Sequence, residues 1–400
     1  MVLVEEAEKI ILAHCGDYGV ESVALDDSLG RVLAEDIVAD RDLPPFDRVT
    51  MDGIAIRYGS LRRNIRTFRV KATQAAGEAP IEITADDECI EIMTGAALPS
   101  SADTVVPYED IDIADGSATV TADIIIDRQN IHFRGKDKKR EEVLVAAGGF
   151  ITPAAITAAA AVGKSSLLVK KNPRTVIIST GDELVDIGDT PTTFQVRQSN
   201  NYGLRSALRQ HGVAADVLHL PDDAAIIEAR LADCIRAYDV ILMSGGVSMG
   251  KFDYVPDALE KLAVKQLFHK VAQRPGKPFW FGQHTNGTLV FAFPGNPVST
   301  FLCLYRYFLP WLKASWGISG RPLYAVLHEN FIFRPALQYF LQVRLDVDPQ
   351  GQLLATPVEG HGSGDFANLQ ATDAFLELPM DKEEFGKGEA FPVWVFKPIM

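Results

Sequence analysis

The chain has 400 residues, with 39 Lys or Arg against 53 Asp or Glu and a net charge of −14. At 47% hydrophobic and 23% charged it has a globular composition, and it is too long for one core, so two to four domains are expected. So acidic a surface argues against nucleic acid and anionic membranes as partners, and admits an anionic ligand only where a local basic cluster overrides the global field.

The opening "MVLVEEAEKIIL" places Leu3, Ala7, Ile10 and Ile11 at helical spacing and lacks the basic start of a signal peptide. A shorter helix is expected near "DSLGRVLAEDI", followed by an extended exit. The prolines of "LPPFDRVTMDG" then begin a small β-rich region over 44–139, with strands at "RTFRVKATQ", "CIEIMTG", "DTVVPYE" and "ATVTADIII". In "FITPAAITAAAAVG", Thr152 is the expected N-cap, Pro153 the first helical residue and Gly163 the stop. That stretch is too short and alanine-rich to span a membrane. Residues 1–43 together with 140–171 read as one discontinuous linker or dimerisation domain, into which 44–139 is inserted.

From 172 to 318 strands alternate with helices. Strands are expected at "RTVIIST", "AADVLHL", "DVILMS" and "TLVFAFP". Helices are expected at "NYGLRSALRQHG", "DAAIIEARLADCIRAY", "YVPDALEKLA" and "VSTFLCLYRYFLPWL". This pattern predicts a central doubly wound, mostly parallel sheet, with ligands beyond the carboxyl ends of its strands. Residues 319–400 return to short strands and Pro/Gly turns, a C-terminal β-barrel or sandwich. The fold class is therefore multidomain α/β plus β. Cys15, Cys89, Cys234 and Cys303 are far apart with no C-x-x-C, which argues against a zinc site or a disulfide framework and for a reducing, cytoplasmic setting.

"SGGVSMGKF" comes close to a nucleotide P-loop: Gly245, four residues, then Gly250 and Lys251, but Phe252 where a metal-ligating Ser or Thr is needed. The strands ending in "STGDEL", "MSGGVSMGKFD" and "AFPGNP" all stop at glycine turns, which a parallel sheet gathers on one edge. Any one such turn is ordinary loop chemistry; three on one edge, with Asp182, Glu183, Asp253, Asp222 and Asp223 beside them, suggest an anion and a bridging Mg²⁺. Asn296 suits a helix N-cap and Pro297 the first turn. Lys270, Arg274 and Lys277 in "HKVAQRPGKPFWFG" supply local positive charge.

In order, "PPFDRVTMDGIAI", "IMTGAALP", "FRGKD", "STGDEL", Ser199-Asn200, "SGGVSMGKFDYV", "RPGKP" and "FPGNPVS" resemble the molybdopterin molybdenumtransferases, a family that includes bacterial MoeA and the E domain of gephyrin. The resemblance implies a molybdopterin-binding type of α/β domain in a four-domain homodimer. It further implies insertion of molybdate into adenylated molybdopterin, with Mg²⁺-dependent release of AMP. Asp253, Glu183 and Asp222 would hold the metal. Ser199, Asn200, Ser244, Gly245, Gly246, Ser248, Gly250, Pro294, Gly295 and Asn296 would line the substrate site, and Lys270, Arg274 and Lys277 would hold phosphate and oxyanion. Asp52, Thr94, Gly95, Arg134 and Asp137 would complete the cleft of the opposite subunit. Arg344, otherwise a solvent-facing strand residue, and Ser363 would reach in from the C-terminal domain. Implied partners are an upstream molybdopterin adenylyltransferase and acceptor molybdoenzymes. Lys136 and Gln198 depart from the family pattern, each standing where an acid is usual. The rival readings are a P-loop phosphotransferase, which Phe252 disfavours, and a non-enzymatic scaffold, which the full set of acids and cations disfavours.

Overall fold

The computed structural model describes residues 1–246 and 254–398. A six-stranded sheet runs in the spatial order Ala215–Leu220, Thr175–Thr180, Val240–Ser244, Leu289–Phe293, Trp280–His284, Val264–His269. The first four strands are parallel; the last two are antiparallel additions at one edge. Those two were not among the expected strands; Trp280–His284 begins within the stretch "HKVAQRPGKPFWFG", which stands out in the sequence for its charge alone. The four parallel strands are the expected ones; Thr175–Thr180, Val240–Ser244 and Leu289–Phe293 are buried on both faces, while Ala215–Leu220 at the edge stays partly exposed.

Helix Ala224–Ala237 and helix Val255–Lys261 cover one face of the sheet, around Ile178, Ile241 and Met243. The other face packs on helix Asn200–Gln210 and on the long helical run from Pro297 to Ser315, whose middle turn, Leu304–Phe308, is π-helical. The opening helix Val4–Leu12 buries Val4, Ala7 and Ile11 in this second core.

Strand Val20–Ala24 pairs with Ser166–Lys170, and Ile37–Val38 with Val143–Val145, so the chain's start returns to its 140–170 region around a small core of Leu33, Ile37, Ile151 and Ala159. The helix expected at "DSLGRVLAEDI" is absent. Val32 bridges to Phe150 and Leu33 to Val169, so tertiary partners take the backbone groups a helix would have used. Helix Pro153–Ala161 has its expected cap, with the Thr152 hydroxyl accepting from the Ala155 N–H at 3.2 Å.

Between these two halves lies a six-stranded mixed sheet built from strands between Gly53 and Val120, with a buried apolar cluster on each face. At the C-terminus, five strands close on themselves: Gln338–Val347, Leu353–Pro357, Leu323–Leu327, Ala390–Val395, Ala374–Leu378 and back to Gln338–Val347. Of the two expected forms this is the barrel. Its interior is filled by Leu341, Val343, Leu376 and Phe391. No helix of the described residues is long and apolar enough to cross a membrane.

Candidate active site at the carboxyl edge of the central sheet

Three of the parallel strands end level, with Ser179 opposite Ser244 and Ser244 opposite Phe293. The turns beyond the four parallel strands line one cavity of about 1000 Å³. Thr180 ends strand Thr175–Thr180 and Gly181 and Glu183 follow it; Asp222 follows Ala215–Leu220, Gly245 and Gly246 follow Val240–Ser244, and Pro294, Gly295 and Asn296 follow Leu289–Phe293. The cavity opens where the strand order reverses between Thr175–Thr180 and Val240–Ser244, the position at which open α/β sheets bind ligands. Gly246 has φ +73°, and a Cβ there would come within 2.7 Å of Thr180 Oγ1 and of Val255. The turn therefore needs glycine, and its bare backbone can meet an anion closely.

Asn200 locks these turns together: its amide donates to Ser244 Oγ and to the Gly295 carbonyl, both at 2.8 Å. Ser199 lines the cavity without capping the helix behind it, and Ser244 and Gln198 line it too. The acids divide their work. Asp223 caps helix Ala224–Ala237, accepting from the Ala225 and Ile226 N–H groups at 2.9 Å. Asp182 Oδ1 accepts the Asp222 N–H at 3.1 Å, and Asp222 and Glu183 line the cavity.

Mg²⁺ is usually held by one or two carboxylates plus substrate phosphate oxygens, so Glu183 and Asp222 form a donor set that fits it without an all-protein cage. Among the described residues no group of three or more His, Cys, Asp or Glu is placed to hold a metal by itself. Asp253, Ser248 and Gly250, with Lys251 and Phe252, lie outside the described residues.

A second cavity of about 600 Å³ adjoins the first and shares Pro278, Pro294, Asn296 and Gly364 with it. Arg274, Lys277 and Ser363 line it. The strand Gln273–Arg274 leaves the α/β unit and pairs with Gln338–Tyr339 of the barrel, so the basic turn is held from both sides. Gln273 is fully buried; its amide donates to the Gly276 carbonyl at 3.3 Å and accepts from the Tyr307 hydroxyl. Asn296 occupies the N-cap position of helix Pro297–Cys303, but its side chain makes no capping bond. Its amide instead donates to Ser363 Oγ at 2.9 Å, while the Val298 N–H donates to the Ser363 carbonyl at 3.0 Å. The barrel loop is thereby fixed onto the last glycine turn.

Several expected residues lie elsewhere. Lys270 lines neither cavity and has φ +71°. Arg344 is exposed, 3.5 Å from Asp346, one pleat beyond Gln342 of the second cavity. Asp52, Thr94, Gly95, Arg134 and Asp137 sit in the inserted β region and line neither cavity of their own chain. There Asp52 Oδ1 accepts from the Thr94 hydroxyl at 2.7 Å and its N–H at 2.6 Å, which holds the Asp52 carboxyl below its usual range. Arg134 pairs with Asp42 at 2.7 Å, and Asp137 with His132 at 2.8 Å.

Other lining residues carried little signal in the sequence. Arg197 brings a cation to the first cavity and Ser299 a hydroxyl to the second. Ser299 belongs to "GNPVS" and could have been inferred from it; Arg197 sits in a two-residue strand, Val196–Arg197, paired with Leu184–Val185, and no motif marks it. Phe366 lines the first cavity from the barrel side.

The chain is 40% identical to a molybdopterin molybdenumtransferase of Synechocystis, over 99% of this chain and 100% of that protein. The chain belongs to the molybdopterin molybdenumtransferase family. Residues 2–163 match the MoeA N-terminal region (domain I and II), 176–314 the probable molybdopterin binding domain, and 324–396 the MoeA C-terminal region (domain IV). A Staphylococcus aureus molybdopterin molybdenumtransferase is 28% identical over 98% of this chain and 94% of its own. The crystal structure of a molybdopterin biosynthesis MoeA protein from Pyrococcus horikoshii OT3 superposes with a TM-score of 0.83 at 27% identity, covering 99% of this chain and 100% of that one. Membership makes the chain a transferase.

Proposed function

We propose that this chain acts in molybdenum cofactor biosynthesis, inserting molybdate into adenylated molybdopterin with Mg²⁺-dependent release of AMP. The observation that carries this reading is the pair of joined compartments. One has glycine turns and carboxylates, suited to phosphate with a divalent cation; the other has Arg274 and Lys277, suited to a small oxyanion.

In this reading the Gly245–Gly246 turn, Ser199, Asn200 and the Pro294–Asn296 turn bind the phosphate end of the substrate. Arg274, Lys277 and Ser363 hold molybdate beside it, across the shared wall of Pro278, Pro294 and Asn296. Glu183 and Asp222, with Asp253 carried over from the sequence motif, would hold Mg²⁺, which when bound offsets charge on the phosphate. Asp52, Thr94, Gly95, Arg134 and Asp137 act on the cleft of a second copy in a homodimer, since they line neither of these two cavities in their own chain. The adenylated substrate comes from a separate molybdopterin adenylyltransferase, and the product passes to acceptor molybdoenzymes in the cytoplasm.

The test is AMP release from adenylated molybdopterin, measured with and without molybdate and Mg²⁺. Release that requires both is expected. ATP hydrolysis at a comparable rate without any molybdopterin would replace this reading with a P-loop one.

A further inference from the structure

One wall of the larger cavity has no part in phosphate or metal chemistry. Phe366 lines it with 65% of its surface exposed, so the ring fills no core. Yet the loop that carries it is tied at many points. Asp365 accepts from the His361 N–H at 3.0 Å and the Asn368 N–H at 3.3 Å. The Phe366 N–H donates to the Gly364 carbonyl at 3.0 Å. Ser363, three residues earlier, is bonded to Asn296 and Val298 of the last glycine turn. These bonds hold the loop's backbone, and so the base of the Phe366 side chain, at the cavity mouth, and among the described residues the ring belongs to no core cluster. Leu184, Pro191 and Val196 add further apolar lining to the same cavity, and Val196 is likewise exposed. A site for phosphate alone has no use for such surface; a flat ring attached to that phosphate does.

We propose that Phe366 stacks on the planar heteroaromatic ring of a phosphate-bearing ligand whose phosphate sits at the glycine turns. This rests on the substrate reading above, whose substrate carries two such rings, adenine and pterin. Both share the chemistry that the wall selects, a polarisable π-face, and stacking on an aromatic side chain tolerates either.

Calorimetric titration of wild type, Phe366→Ala and Phe366→Tyr with AMP, 6-hydroxymethylpterin phosphate and ribose 5-phosphate tests this. Phe366→Ala should weaken a ring-bearing ligand about fivefold or more, the low end for base–aromatic stacking, and leave ribose 5-phosphate unchanged. Phe366→Tyr should restore the affinity. Weakening confined to AMP assigns the ring as adenine; weakening confined to the pterin phosphate assigns it as pterin. Unchanged affinity for both ring ligands overturns the stacking role and leaves the substrate reading standing. Equal weakening of ribose 5-phosphate also overturns it, because the loop rather than the ring would then be responsible. A wild type that binds none of the three overturns both readings. Thermal unfolding of the variants should match wild type, since the ring is exposed.

Discussion

Arg306 joins three separate parts of the chain, and its loss should be felt in all of them. It lies in the π-helical turn Leu304–Phe308, and its side chain is only 4% exposed. Nε donates to Glu377 of the barrel at 3.0 Å, and Nη2 to Glu8 of the opening helix at 2.9 Å. The guanidinium carbon lies 4.4 Å from the centroid of the Trp394 ring. Burial alone would disfavour its charge, but Glu377 and Glu8 outweigh that and raise its pKa.

In Arg306→Met, Glu377 keeps neutral donors, Gln338 at 2.8 Å and Trp394 Nε1 at 2.7 Å, but loses its counter-charge while 8% exposed. Removing one member of a buried pair costs about 3–5 kcal/mol. Glu8 has a side chain 33% exposed and re-solvates, so it adds little. The expected outcome is a loss of about 3–5 kcal/mol in urea unfolding followed by tryptophan fluorescence. The double variant Arg306→Met/Glu377→Gln should regain most of it, because no buried charge is then left alone and the neutral amide oxygen still offers an acceptor to the Gln338 and Trp394 donors. A single variant within about 1 kcal/mol of wild type, or a double variant no better than the single, would refute the reasoning.

Four further outcomes are expected. Asp253→Asn should keep the fold and pterin binding yet slow AMP release by about 10²-fold or more in a single-turnover assay. Mixing inactive Asp52→Ala and Asp253→Ala chains should restore partial activity, since one cleft of a shared-site heterodimer carries neither lesion; well-mixed heterodimers that stay inactive would rule out shared sites. Lys277→Ala should lose molybdate-dependent turnover while Lys251→Ala keeps most of it, and the reverse ranking would favour a P-loop. Burial, with Lys313 nearby, pushes the His211 pKa down to about 4 from 6.5. Between those two values the unfolded chain binds the extra proton, so this residue removes stability as pH falls. His211→Asn should flatten that part of the stability–pH curve relative to wild type.

What could be read from the sequence was local or periodic. The four parallel strands, their covering helices and the Thr152 cap are specified within a dozen residues each, by apolar runs, 3.6-residue spacing and capping chemistry. The glycine turns were legible for the same reason, and parallel pairing alone was enough to gather Glu183, Asp222, Gly245 and Gly295 on one edge, whereas Asn200 was expected there only from the family resemblance. Other features depend on partners far along the chain. Residues 27–37 gave up their apparent helix because residues near 150 and 169 pair with them. The barrel closed because Gln338–Val347 finds a second neighbour in Ala374–Leu378. Asn296 gave up its cap for Ser363, and Arg306, one polar residue in an apolar helix, found its carboxylates 298 residues before it and 71 after it. Local propensity is worth tenths of a kcal/mol per residue, whereas pairing a strand or burying a charge decides several, so long-range contacts overrode it at these positions.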